Sequence, residues 1–212
     1  MTVPAPAAIR AIVFDLDGTL YVSPEFSAAI QDQAAGYMTG ILGADIHETC
    51  RLMAATRARL AEESGTVQTL SAVCSDLGGN VRDLHAFFIE RLRPEETLNR
   101  DSRVIDLLNR LGARLDLYIY TNNNRILTTR IIEHLGFGDC FAHIFTIDDS
   151  WQAKPDEKAL DRIIDATGLT PDRVLFVGDR YDVDLRLPEL RGCPVFLVRS
   201  IEQLLRLETL LG

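Results

Sequence analysis

Five short runs of consecutive apolar, β-branched and aromatic residues punctuate the chain: AIVFDL (11–16), LDLYIYT (115–121), HIFTI (143–147), RVLFVGD (173–179) and PVFLVRS (194–200). Runs without alternation fit strands covered on both faces, as in a parallel sheet. Between them the apolar spacing becomes helical. SRVIDLLNRLG (102–112) puts Val104, Leu107, Leu108 and Leu111 on one face, and Gly112 reads as its C-cap. RILTTRIIEHLGFG (125–138) repeats the design, and PDEKALDRIIDATG (155–168) opens with Pro155, Asp156 and Glu157, which suit a first helical turn. Strands alternating with helices of this length predict an α/β fold, a parallel sheet with right-handed crossovers.

The interval from Thr19 to Ser102 contains no convincing strand, although a crossover needs only a dozen or so residues and its helix. It reads instead as helices over 24–42, 44–64, 66–78 and 81–92, punctuated by Gly43, Gly65, Gly78-Gly79 and Pro94. This predicts a helical insertion of about 75–80 residues between the first and second strands. It sits over the carboxyl end of the first strand, where open α/β sheets bind ligands.

Composition narrows the class. The chain has 212 residues, 47% hydrophobic and 25% charged, enough for a core without disulfides or structural metal. A net charge of -9 argues against a broad nucleic-acid or anionic-membrane surface. It leaves room for a small anionic substrate, because a metal ion and local cations reverse the local potential. Cys50, Cys74, Cys140 and Cys193 form no C-x-x-C pair and read as reduced and mostly buried. His47, His85, His134 and His143 show no ligand spacing. MTVPAPAAIR lacks the pattern of a signal peptide and no run is long enough to span a bilayer, so the expected location is the cytoplasm.

Four polar clusters fall at predicted strand ends: Asp15-Leu16-Asp17-Gly18-Thr19, Thr121-Asn122-Asn123, Lys154-Pro155, and Gly178-Asp179 with Asp182 and Asp184. Each alone has an ordinary reading as a turn, strand end or helix start. A parallel sheet brings all four to one edge. In this order D-x-D-G-T-L, T-N, K-P and G-D-x-x-x-x-D resemble the haloacid dehalogenase superfamily over residues 8–20 and 100–200, and the insertion resembles a C1-type cap.

The resemblance implies a Rossmann-like core (1–20 and 100–212) with helices on both faces and an α-helical cap (21–99). It also implies a Mg²⁺-dependent phosphatase. A carboxylate attacking a phosphate dianion faces repulsion that a hard divalent cation removes. On this reading Asp15 is the nucleophile and forms an aspartyl-phosphate, and Asp17 is the general acid and base. Thr121 and the backbone of Asn122 hold phosphoryl oxygens, while Lys154 neutralises charge. Mg²⁺ is held by Asp15, the main-chain carbonyl of Asp17 and Asp179. Asp184 holds a metal-bound water or orients Lys154, and Asp182 is solvated. Gly18 lets the chain leave the strand sharply. Gly178 fits either a simple turn or a close backbone approach to the metal.

Dehalogenase members attack carbon and typically lack an acid at the position of Asp17. A phosphonate hydrolase is expected to supply a cap lysine, and residues 20–99 contain none. A sugar phosphomutase on the same core and a catalytically silent phosphate-binding scaffold remain the alternatives. The expected partner is a small phosphorylated metabolite: phosphoglycolate, a nucleoside monophosphate or a sugar phosphate. Arg51, Arg57, Arg59, Arg82, Arg91 and Arg93 offer anion contacts from the insertion, although solvated helix faces are the commoner fate. Tyr21, Phe26 and Tyr37 are candidates for a leaving-group pocket. Trp151, Arg180 and Arg125 adjoin motif residues. Hinges for cap motion are expected near 20–24 and 94–101.

Overall fold

A computed structural model describes residues 9–211, so the reading of the first residues as lacking a leader lies largely outside the described residues. All five apolar runs form strands: β1 (Ala11–Phe14), β2 (Asp116–Tyr120), β3 (His143–Phe145), β4 (Val174–Gly178) and β5 (Val195–Leu197). They make one parallel sheet in the order β3-β2-β1-β4-β5, a Rossmann-like arrangement. The chain winds from β1 to β2 and β3 on one side, then returns to place β4 on the other. The topological switch therefore lies between β1 and β4, where such sheets open a ligand crevice at their carboxyl ends.

Strand residues alternate between two covered faces. Ile12, Phe14, Leu117, Ile119, Leu175 and Val177 face one core, shared with α6 (Ser102–Gly112) and α7 (Arg125–Leu135). Ala11, Val13, Tyr118, Val174 and Phe176 face a second core, closed by Leu160 and Ile163 of α8 (Glu157–Thr167). Burial on both sides is why these strands read as unbroken apolar runs.

The insertion is helical: α1 (Pro24–Leu42), α2 (Ile46–Ser64), α3 (Leu70–Asp76), α4 (Val81–Arg91) and α5 (Pro94–Thr97). Ser23, Asp45, Thr69 and Asn80 cap the first four through their side chains, and Gly43 and Gly65 close the long pair in the left-handed conformation. Thr69 as N-cap makes α3 start later than the apolar spacing predicted. Pro94 opens the short α5 rather than only interrupting the pattern, a role its fixed φ suits. Gly112 is the last residue of α6 and Ala113 the cap, so Gly112 is not the C-cap. Asp156 caps α8, which places Pro155 and Asp156 before the first turn rather than within it.

After β4 a π-helical turn (Tyr181–Leu185) leads into α9 (Arg186–Leu190), and α10 (Ile201–Leu204) and α11 (Leu207–Leu211) end the fold. No helix among the described residues is long and apolar enough to cross a membrane.

Candidate active site

The sheet's carboxyl edge brings the four polar clusters together. Asp15 follows β1, Thr121 follows β2, Lys154 lies on the loop before α8, and Asp179 follows β4. Lys154 Nζ donates to Asp15 Oδ1 at 2.5 Å and to the Tyr120 carbonyl at 3.0 Å, and lies 2.6 Å from Asp184 Oδ1. Lys154 is 2% exposed, Asp15 4% and Asp184 5%. Burial alone would lower the lysine, but the Asp15 and Asp184 carboxylates outweigh it and hold the ammonium above the ordinary lysine range. Burial, then Asp184, push the Asp15 acid upward, and Lys154 pulls it back. Thr19 Oγ1 donates to the other Asp15 oxygen at 3.3 Å.

Asp17 points elsewhere. Tyr21 donates its hydroxyl to Asp17 Oδ1, and Asn123 Nδ2 donates to Asp17 Oδ2 at 2.7 Å. Burial raises the Asp17 pKa, while the Tyr21 hydrogen bond, Arg180, Lys154 and Asn123 oppose the rise. Two carboxylates one residue apart are thus held in different surroundings.

The loop after β2 is tied down on both sides. Thr121 Oγ1 accepts from Asn123 N at 3.1 Å, and Asn122 Oδ1 accepts from Lys154 N at 2.7 Å. The second bond fixes the β2 loop to the lysine loop.

Carboxylate oxygens of Asp15, Asp179 and Asp184 all lie within 4.8 Å of one another. Asp179 Oδ1 is buried with no hydrogen-bond partner, which a cation would supply. The donors are all hard oxygens, the set Mg²⁺ selects. The surrounding backbone is shaped for this cluster. Gly18 has φ +84°, and a Cβ there would meet Asp179 Oδ2 at 2.5 Å. A Cβ at Gly178 would meet the Asp184 Cβ at 2.5 Å, so that glycine makes room for Asp184 beside the strand. The π-helical turn after β4 carries Asp184 back toward Lys154, and Arg180 N donates to Asp184 Oδ2 at 3.1 Å.

A cavity of about 420 Å³ separates this edge from the insertion. Asp17, Asp179 and Arg180 line its floor, and Phe26, Ile30 and His85 are among the residues of its helical wall. Tyr21 and Phe26 line it as expected, whereas Tyr37 packs against Phe87, away from it. Trp151 meets the His85 ring at 6.2 Å and carries the Arg82 guanidinium at 5.2 Å from its ring centre. Arg125 begins α7, but the N-cap is Asn124, and its guanidinium reaches Asp149 and the Ile144 carbonyl rather than the site. The cysteines divide evenly: Cys74 and Cys193 are buried, Cys140 is half-buried and Cys50 exposed. Tyr21, Asn123 and His85 are the site-facing residues that the motifs did not mark. The Thr-Asn-Asn run contains Asn123, and Tyr21 stood among the aromatic candidates for a leaving-group pocket, whereas His85 carried no signal.

A model of the haloacid dehalogenase-like hydrolase family matches residues 9–187. Phosphoglycolate phosphatase of Salmonella typhi is 30% identical over 206 residues, spanning 88% of this chain and 79% of its own. A phosphatase from Thermococcus onnurineus aligns with TM-score 0.62 and 19% identity over 96% of this chain and 98% of its own. The Bacillus subtilis hydrolase YfnB, bound to magnesium, aligns with TM-score 0.59 and 18% identity over 93% and 97%. The chain belongs to the haloacid dehalogenase-like hydrolases. Within that class it is an enzyme of the phosphatase branch, a phosphoric monoester hydrolase.

Proposed function

We propose that this enzyme is a Mg²⁺-dependent phosphatase that hydrolyses a small organic phosphomonoester through an aspartyl-phosphate on Asp15. The observation that carries the reading is the divergence within Asp15-Leu16-Asp17. Asp15 is clamped by Lys154 at 2.5 Å in the acidic cluster, while Asp17 is held by Tyr21 and Asn123 at the cavity floor. This divergence supports Asp15 as the nucleophile and Asp17 as the proton donor.

Asp17 gives its proton to the departing alkoxide and later takes one from the water that opens the aspartyl-phosphate. Burial raises its pKa, which favours the protonated form needed first. The Thr121 hydroxyl and the Asn122 backbone N–H hold the phosphoryl oxygens. Lys154 balances charge on Asp15 and the phosphate. Asp15, Asp179 and the Asp17 main-chain carbonyl would hold Mg²⁺, with Asp184 on its water or on Lys154. When bound, the ion offsets the phosphate's negative charge and lets an anionic nucleophile approach.

In this reading residues 21–99 are a cap over a core of 1–20 and 100–212, opening for substrate and closing to exclude water. The magnesium and the interdomain movement described for YfnB support both the ion and the moving cap. Phosphoglycolate, the substrate named for the Salmonella relative, and nucleoside and sugar phosphates head the screen.

Purified protein with Mg²⁺ is expected to hydrolyse p-nitrophenyl phosphate, and Asp15→Asn to lose about a thousandfold or more. Turnover that survives EDTA overturns the metal assignment. Equal turnover by Asp15→Asn overturns the nucleophile.

A further inference from the structure

The cavity over the acidic cluster receives no cation from the helices that wall it. Of the six insertion arginines, Arg51 pairs with Glu48 and Arg59 with Glu63 and Asp76. Arg82 and Arg91 lie over Trp151 and Phe87, and Arg93 donates to the Leu92 carbonyl. Arg57 donates to Gln31 Oε1 at 3.2 Å, and it is Gln31 that faces the cavity. No lysine occurs in this segment. Among the described residues, the cavity's one cationic lining residue is Arg180, on the floor beside the motif carboxylates. Its Nε lies 3.6 Å from Asp179 Oδ1 and 3.9 Å from Asp184 Oδ2, so its charge is already matched there.

What the helical wall does offer is neutral hydrogen-bonding groups among apolar side chains. Ser27, Gln31, Thr69 and Ser71 line it together with Phe26 and Phe88. His85 of α4 also lines the cavity and is 2% exposed, and its Nε2 has no hydrogen-bond partner. A buried polar atom left unpaired in a binding wall is costly unless something else satisfies it. Burial also holds the imidazole pKa down to about 4, against the opposing pull of Asp148, so the ring is neutral near pH 7.

A carboxylate on the leaving group would enter this wall desolvated and without a counter-charge, at a large cost. A hydroxyl at the same place would find donors and acceptors. We propose that the enzyme selects a phosphomonoester whose leaving group is an uncharged, hydroxylated alcohol, with His85 as the residue that reads it. This rests on the phosphatase reading above and narrows it to leaving groups without a carboxylate.

A matched pair isolates the charge. 2-Hydroxyethyl phosphate and 2-phosphoglycolate differ only in CH₂OH against a carboxylate. The wild-type enzyme with Mg²⁺ is expected to show kcat/KM about tenfold or more higher for the hydroxyethyl ester. His85→Phe should raise KM for that ester about tenfold, as loss of one hydrogen bond predicts, while kcat changes less. Ser27→Arg, on an exposed wall position, should shift the ratio toward phosphoglycolate about tenfold.

Equal or higher kcat/KM for phosphoglycolate in the wild type overturns the leaving-group inference and leaves the phosphatase reading intact. Failure to turn over either ester or p-nitrophenyl phosphate overturns both. A KM unmoved by His85→Phe removes His85 as the reader.

Discussion

The ammonium of Lys154 lies 2.5 Å from the Asp15 carboxylate, across 139 positions of chain. Asp184, 2.6 Å away on the other side, leaves the lysine held between two buried carboxylates. Replacing it leaves both acids buried beside each other, and removing one partner of such a group costs roughly 3–5 kcal/mol.

Lys154→Met is therefore expected to lower both stability and turnover. For a chain of this size about 3 kcal/mol corresponds to a fall of roughly 6–12 °C in Tm for the metal-free protein. The kcat on p-nitrophenyl phosphate should fall about a hundredfold or more, as for removal of a charge-stabilising donor. Thermal unfolding and steady-state kinetics on the same preparation check both. A variant that loses turnover with its Tm unchanged would show that the lysine acts on the phosphate alone.

The Tyr21 hydroxyl and Asn123 amide fix the Asp17 carboxylate, and its role as an acid matters most where a leaving group needs a proton. Tyr21→Phe keeps the ring, which packs against Phe26, and deletes the hydroxyl alone. With an alkyl phosphate kcat should fall about tenfold, within the usual range for general acid catalysis. With p-nitrophenyl phosphate, whose leaving group departs easily as an anion, the fall should be much smaller. Equal losses on both would show that Tyr21 does not act through protonation of the leaving group.

The three central strands were readable because burial on both faces demands unbroken apolar runs, and those runs are local in sequence. The same holds for Asp15, Asp17, Thr121, Lys154, Asp179 and Asp184, which stand at strand ends or on the loops beside them. Asn123 makes its bond to Asp17 across 106 positions, a contact no local pattern encodes. His85 shows no ligand spacing because it works alone, from a helix that only tertiary packing sets over the cavity. Gly178 had two equal readings until the π-helical turn placed Asp184 against it.

Asp179 Oδ1 is buried without a hydrogen-bond partner, with only the Arg180 guanidinium 3.6 Å away, so loss of this carboxylate should be felt strongly by a bound cation. Mg²⁺ at a hundredfold excess over its dissociation constant should stabilise the wild type by about 2.7 kcal/mol. In Tm this is roughly 5–10 °C. Asp179→Ala should lose most of that shift while its metal-free Tm stays within a few degrees, because the lost group is a polar ligand at the edge of the core. A thermal melt with and without Mg²⁺ reads this directly, without relying on turnover. An undiminished shift would place the ion elsewhere.

His85 makes the fold sensitive to acid. Burial lowers its imidazole from 6.5 to about 4, and Asp148 opposes the drop without reversing it. Between those values the unfolded chain binds a proton that the folded chain refuses. Stability from this group is therefore fully present above about pH 6.5 and is lost as pH falls toward 4. The difference of about 2.5 pH units corresponds to roughly 3 kcal/mol at most. The buried carboxylates contribute with the opposite sign, since raised acid pKa values favour the folded state at low pH. The wild-type curve alone mixes the two effects. His85→Phe separates them, because it removes the imidazole and leaves the carboxylates. Urea unfolding at intervals from pH 4 to 7.5 should give the variant a profile flatter, or more downward-sloping with pH, by about 3 kcal/mol across the window. Parallel profiles for the two proteins would show that His85 is not held neutral by the fold.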